Sequence, residues 1–239
     1  MSRWASIDLG AESILFVDDD LVAVDKAPGV LCDASIDPER EHLGTALRRW
    51  AEDDDAEFLP AHRLDLGTSG VVLFARNRSA ATALMNQFQE RSVSKHYQAV
   101  VHLPAKGQWA VGETIDRRSY LRHRKGMSEE VRSGGKPAES GFEVLHVDGP
   151  LALLRASPKT GRTHQLRVHL AALNAPIVGD DRYGRSPLAS SHEHKPKRLW
   201  LHAYMLAITH PVSNQPLAIR SRRTLGLVDA TPKESACPD

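Results

Sequence analysis

The residues best able to do chemistry fall in two short stretches. In the first, His62-Arg63-Leu64-Asp65-Leu66-Gly67-Thr68-Ser69-Gly70, one carboxylate stands between a basic pair and a run of small residues. This stretch leads into Val71 to Ala75, an apolar run that reads as a buried strand. A carboxylate set just before a core strand is held rigidly, as a nucleophile or charge-stabilising group must be. An Asp ahead of Gly-Thr-Ser-Gly is also an ordinary turn former, and the motif alone leaves both readings open. The second stretch is Thr160-Gly161-Arg162-Thr163-His164-Gln165-Leu166-Arg167-Val168-His169. In a helix starting here, His164 and Arg167 share a face opposite a leucine stripe. A guanidinium there could grip a carboxylate bidentately, or simply belong to a surface helix.

Other chemistries find less support. Ser69 lacks the Gly-x-Ser-x-Gly elbow of a serine nucleophile, and Gly67 to Gly70 is too short for a phosphate-binding loop and lacks its lysine. His164 and His169 are five apart with no glutamate in a zincin pattern, and His192-Glu193-His194 is too small a cluster for a metal. Asp18-Asp19-Asp20 reads as a turn. No metal and no cofactor is expected.

The elements that would position these stretches follow from periodicity. Ile14 to Val17 and Leu21 to Val24 read as a hairpin, followed by a Pro28-Gly29 turn. Leu43, Ala46, Leu47 and Trp50 predict an amphipathic helix over 42–52, ended by Asp53 to Asp55. Ser79 is the expected N-cap of a helix of about 12 residues, with Ala81, Leu84, Met85 and Phe88 facing the core. Lys95 to Val101 reads as a strand. Residues 104–138 lack periodicity and predict a hairpin with a long mobile tip. Phe142 to Val147 and Leu151 to Ala156 form a strand pair, and Thr163 to Leu173 a helix ended by Asn174 and Pro176. Gly179 to Gly184 is a tight loop, 185–198 irregular and polar, and Leu199 to Ala203, Tyr204 to Thr209 and Pro216 to Ile219 closing strands. The last 15 or so residues read as disordered. Strands dominate without βαβ alternation. The expected class is α+β, one domain over 13–220 with a mixed, mainly antiparallel sheet flanked by helices, and tails at 1–12 and 221–239.

Composition bounds the function. The 239 residues suffice for a substantial core, no apolar run approaches the roughly 20 residues needed to cross a bilayer, and the N-terminus has no signal-like core. Cys32 and Cys237 are distant in sequence and read as incidental thiols of a cytoplasmic protein. The net charge of +1 hides an asymmetry: residues 1–60 carry −10 and the remainder +11. Between Arg117 and Lys136 there are seven basic residues against two acidic ones. Such a segment can track a phosphate backbone, or be a solvated face.

Taken together, His62-Arg63-Leu64-Asp65 with Thr68-Ser69-Gly70, Lys95-His96-Tyr97-Gln98-Ala99 and Gly161-Arg162-Thr163-His164-Gln165-Leu166-Arg167 resemble the RluA-type pseudouridine synthases. Lys26 to Gly29 resembles an early Lys-Pro-x-Gly turn with Ala27 inserted. Gly135-Lys136-Pro137-Ala138, Pro176-Ile177-Val178-Gly179-Asp180 with Tyr183-Gly184, Leu201-His202-Ala203 and His210-Pro211 follow in order. The resemblance covers about residues 13–220, without the small RNA-binding domain that some relatives carry. It implies a pseudouridine-synthase-like domain with a central catalytic cleft.

The resemblance implies isomerisation of a uridine within ribosomal or transfer RNA. The N1–C1′ bond breaks, the base turns, and C5 joins C1′. Asp65 matches the catalytic aspartate, Arg167 the arginine that pairs with it, and Tyr97 the aromatic that stacks on uracil and handles a proton. The target base must leave its stack, and Arg63 is the expected contact that braces the vacated space. His62, Arg162, His164, Arg122, Arg124 and Lys125 complete the expected RNA contacts. The expected partner is a compact RNA stem-loop, the expected assembly a monomer without membrane attachment. Two other readings use the same residues: an RNA-binding or RNA-chaperone domain with a degenerate site, and a glycosidase-like hydrolase, for which a second carboxylate is not evident.

Overall fold

The computed structural model describes residues 6–34, 39–103, 109–184 and 198–227. The expected irregular segment falls almost wholly outside this range, as do His192 to His194 and most of the expected disordered tail. The chain forms two compact units, one running to Tyr97 and completed by His202–Arg223, the other holding Gln98–Leu201 and the residues from Thr224 on. The class is α+β, as expected.

In the first unit, β1 (Ile14–Val17) and β2 (Leu21–Lys26) form the expected hairpin. Helix α1 (Leu43–Ala51) follows, then the short β3 (Leu59–Pro60), β4 (Ser69–Ala75) and helix α2 (Arg78–Glu90). The order in the sheet is β1-β2-β4-β10, with β10 (Leu201–Thr209) joined by β11 (Pro216–Arg220) and β3 resting on β4. β2 and β4 pair antiparallel from Leu21↔Ala75 to Lys26↔Gly70. β4 and β10 are parallel, His202↔Ser69 and Ala203↔Gly70, which makes the sheet mixed. Gly70 has φ +112°, and a Cβ there would lie 2.2 Å from the Ala203 carbonyl oxygen, so the close approach requires glycine.

All seven residues of β4 are buried because both faces are covered. Val72 and Phe74 pack with Leu43 and Leu47 of α1, while Val71, Leu73 and Ala75 pack with Ala80 and Leu84 of α2. Each fully buried Leu or Phe side chain here contributes about 1.5–3 kcal/mol relative to exposure. This explains the unbroken apolar run: a strand covered on both faces has no polar face to alternate with.

Several boundaries differ from the sequence reading. Asn77, not Ser79, caps α2, its side chain accepting from Ala80 N at 2.9 Å. The core-facing stripe of the helix runs through Ala80 and Leu84, with Ala81 and Phe88 partly buried beside it, and leaves Met85 51% exposed rather than core. Glu52, in the left-handed region at φ 53°, ends α1 before the aspartates. The two expected strands around Ala203 and Tyr204 are one continuous strand, β10.

The second unit takes Gln98 onward from β5 (Ser94–His102). It contains β6 (Thr114–Arg124), β7 (Met127–Val131), β8 (Lys136–Asp148), β9 (Leu151–Pro158) and helix α3 (Gln165–Ala172). The order is β5-β9-β8-β6-β7, with β9, β8, β6 and β7 successively antiparallel. The expected long mobile tip is instead a regular hairpin, with Arg124 opposite Met127 and a turn at Lys125 (φ 51°) and Gly126 (φ 76°). Two positive φ values match the right-handed twist of the strands. Its pattern is hidden in sequence because most of β6 is exposed or half-exposed, which removes the apolar alternation. Helix α3 is shorter than expected and not a surface helix: Gln165 to Leu170 are all buried.

Candidate active site

In the first unit, Asp65 is half-buried in a turn closed by Thr68 N donating to its carbonyl at 3.0 Å. Its neighbours on both sides are pinned. Leu64 N donates to Cys32 Sγ at 3.3 Å, and the thiol donates to Leu64 O at 3.6 Å. Leu66 O accepts from Gly29 N at 2.8 Å and from Lys26 Nζ at 3.2 Å. Lys26 is 1% exposed and also donates to Ala27 O (3.1 Å) and Val30 O (2.9 Å). Burial pulls its ammonium from an ordinary 10.5 to about 8, against the opposing pull of Cys32 and the Asp65 carboxylate. Cys32, incidental by sequence, is thus part of the frame around Asp65.

Tyr97 is half-buried against the α1 side of the core. Burial, and after it the Asp65 charge, push its phenol above the ordinary value, so the ring is neutral and protonated at pH 7. Asp65 and Tyr97 therefore share one electrostatic environment. His62 turns inward: its ring stacks on Phe88 at 5.2 Å and Nε2 accepts from Leu73 N at 3.2 Å. Burial lowers it to about 4, so it carries no charge at neutral pH. Arg63, by contrast, is exposed. Ser69 is spent in a buried chain: its Oγ meets His202 Nδ1 at 2.9 Å, and His202 Nε2 meets Ser221 Oγ (2.9 Å), which donates to Asp25 Oδ2 (2.7 Å).

In the second unit, Arg167 is 5% exposed and forms a fork with Asp180, Nε to Oδ2 at 2.8 Å and Nη2 to Oδ1 at 2.7 Å. Planar bidentate geometry is what makes a buried guanidinium tolerable. Asp180 Oδ1 also accepts the amides of Arg182 and Tyr183 at 3.0 Å each. His164 sits at the start of α3 in the left-handed region (φ 56°), its Nδ1 2.7 Å from the Tyr183 hydroxyl. Arg162 is half-buried, with Nε donating to Pro137 O at 3.1 Å.

The basic hairpin is less positive than its count suggests. Arg117 pairs with Glu130, Arg118 with Glu139, and Arg122 with Glu129 at 2.7 Å. Among the described residues, no carboxylate pairs with Arg124 or Lys125, and both are exposed at the turn.

Residues 20–172 match the family model described as RNA pseudouridylate synthase. The chain belongs to the RNA pseudouridylate synthase family. A Vibrio vulnificus protein of this family, named ribosomal large subunit pseudouridine synthase C, is 36% identical over 216 residues, covering 87% of this chain and 64% of that protein. The chain thus spans somewhat under two thirds of the length of the ribosomal large subunit relatives it matches. The dual-specificity RNA pseudouridine synthase RluA of the same organism is 35% identical, covering 84% of this chain and 79% of that protein. Among solved pseudouridylate synthase structures, human RNA pseudouridylate synthase domain containing 4 has a TM-score of 0.70 and 25% identity, over 92% of this chain and 91% of that one.

Within this pseudouridylate synthase framework, some participants have no role that sequence alone assigns. Lys26, Asp180 and Tyr183 stand inside the family-like motifs, yet nothing in their spacing says that one binds the Asp65 turn and another Arg167. A lysine ending an apolar strand run is the available signal for Lys26, because such a lysine must find acceptors. Among the described residues, no helix is long and apolar enough to cross a membrane.

Proposed function

We propose that this chain is an RNA pseudouridine synthase that isomerises a uridine in structured ribosomal or transfer RNA, working as a cytoplasmic monomer. The observation carrying this reading is the Asp65 turn, whose two flanking residues are fixed by Lys26, Gly29 and Cys32, with Tyr97 in the same electrostatic environment. A backbone so fixed presents a carboxylate in one place, which is what attack at the ribose C1′ or the uracil ring requires. Tyr97 offers a neutral aromatic face to the base and a proton that stays in place at pH 7. Arg167 supplies the cationic partner of the chemistry. The names of the ribosomal large subunit relatives favour ribosomal RNA as substrate.

RNA contact falls to Arg63, Arg162 and the hairpin turn at Arg124 and Lys125. Arg122 contributes less because Glu129 offsets it. His62 acts as an uncharged support with its ring against Phe88, and His164 bears on Tyr183.

The test maps pseudouridine at single-nucleotide resolution in cellular RNA, with the wild-type chain and with Asp65→Asn. Positions modified by the wild type and unmodified by Asp65→Asn, a loss on the order of 10³-fold or more in rate, are the expected result. Unchanged modification at every position with a folded variant would defeat the isomerase reading in favour of RNA binding alone. Release of free uracil would point to hydrolysis.

A further inference from the structure

Within the second unit, Tyr183 touches three elements at once. Its ring faces Arg167, with the guanidinium carbon 5.1 Å from the ring centroid. Its hydroxyl accepts from Ser128 N of β7 at 2.8 Å and shares a hydrogen bond with His164 Nδ1, 2.7 Å away at the start of α3. Ser128 makes a second strap, its Oγ donating to Thr163 O at 2.7 Å and accepting from His123 Nδ1 at 3.0 Å. Next to Tyr183, Arg182 Nη1 donates to Gly126 O at 2.7 Å, at the hairpin turn itself. Asp180 closes the circuit, holding the amides of Arg182 and Tyr183 and the fork of Arg167 with the same carboxylate.

A continuous chain of direct contacts therefore runs from the hairpin turn to Arg167. The turn end of that chain is an open cavity of about 440 Å³ lined by Arg124, Lys125, Met127, Ser128 and Glu129. Glu129 is occupied by Arg122, so the charge facing this cavity is that of Arg124 and Lys125, suited to the phosphates of RNA. Ser128 belongs both to the cavity wall and to the contact with Tyr183.

We propose that Tyr183 is a positioning residue that couples RNA held at the β6–β7 turn to the orientation of the Arg167 guanidinium. The inference rests on the pseudouridine synthase reading above. RNA seated on Arg124 and Lys125 orders the turn, and the turn orders Ser128. The Ser128 amide then fixes the phenol, whose ring sets the plane in which the guanidinium lies. Asp180 supplies the charge balance, and Tyr183 the link to bound substrate.

The test measures single-turnover pseudouridine formation at saturating stem-loop RNA, together with the Kd of the same RNA. Tyr183→Phe keeps the ring and removes the hydroxyl. It should lower the saturating rate roughly three- to tenfold, the effect of losing one or two neutral hydrogen bonds, with Kd within about twofold. The pair Arg124→Ala/Lys125→Ala should raise Kd and also lower the saturating rate. Combined with Tyr183→Phe, it should raise Kd while lowering the rate no further than Tyr183→Phe alone, because the link is already cut. Arg182→Ala, an exposed side chain not needed for packing, repeats the test should Tyr183→Phe fold poorly. An unchanged rate in Tyr183→Phe or Arg182→Ala, or turn and Tyr183 effects that simply multiply, overturns the inference while leaving the enzyme reading intact. A wild-type chain that forms no pseudouridine overturns both.

Discussion

The Asp65 turn and the Arg167 helix hold their charged groups by opposite means. Around Asp65 the backbone is fixed: Leu64 is bound to Cys32, Leu66 to Lys26 and Gly29, and the carboxylate is carried by that frame. At Arg167 the side chain itself is fixed, both faces of its fork taken by one buried carboxylate. One scheme places a charged group through its backbone, the other through its own charged atoms. The cations chosen match this division. Arginine keeps its proton under any burial, while the buried Lys26 has a proton that can be lost.

The sharpest way to break the comparison is to remove the clamp. Asp180→Ala leaves a guanidinium buried without its fork, which should cost about 3–5 kcal/mol of folding stability. Asp181, which reaches Arg167 only at 3.5 Å and is exposed, is a poor substitute. Urea unfolding measures this directly. A loss below about 1 kcal/mol would mean that Arg167 is not held chiefly by Asp180, and the contrast with Asp65 would fall.

Lys26 gives the next effect, and its sign is fixed. Its folded value, about 8, lies below the ordinary 10.5. Below pH 8 it is charged in both folded and unfolded chains, and the folded state bears the cost of burying that charge. Between about 8 and 10.5 the unfolded chain binds more protons, so stability rises with pH, by about 3 kcal/mol in all. Above 10.5 both forms are neutral and the contribution is constant. Wild type and Lys26→Met, compared by denaturant unfolding from pH 7 to 11, should differ by this rise. Parallel curves would show that Lys26 is not desolvated as its contacts require.

How much of this is visible in sequence follows from the same contrast. The β4 strand, the α1 face and the first hairpin are legible because burial periodicity is local. Asp65, Tyr97 and Arg167 stand out through motif order, each within a few residues of an element start. What stays hidden depends on partners far along the chain. Asp180 lies 13 residues from Arg167, and Lys26 reaches Leu66 across 40. The cap of α2 moves to Asn77 because Ser, Asn and Asp are near-equal caps and only packing decides among neighbours. The hairpin reads as mobile in sequence because the inward face of β6 places Arg117 and Ser119 between Ile115 and Leu121, which breaks the apolar alternation, while cross-strand charge pairs line the hairpin.

Those charge pairs set the smallest effect, and the one that best separates structural from functional charge. Arg122 and Glu129 are each about half exposed, and such pairs contribute no more than about 1 kcal/mol. Arg122→Ala should therefore barely move the unfolding midpoint. Because its charge is already offset by Glu129, it should also barely alter the salt dependence of binding to a labelled stem-loop RNA. Arg124→Ala/Lys125→Ala removes the same kind of charge two or three residues away, at positions with no carboxylate partner among the described residues. If these two face phosphates, the slope of log affinity against log salt should fall by about two, close to 0.9 for each phosphate left without its cation on a duplex stem. Equal slopes for the two variants would mean that the hairpin acts through its net charge alone. An unchanged slope in both would remove the hairpin from the RNA interface altogether and leave recognition to Arg63 and Arg162.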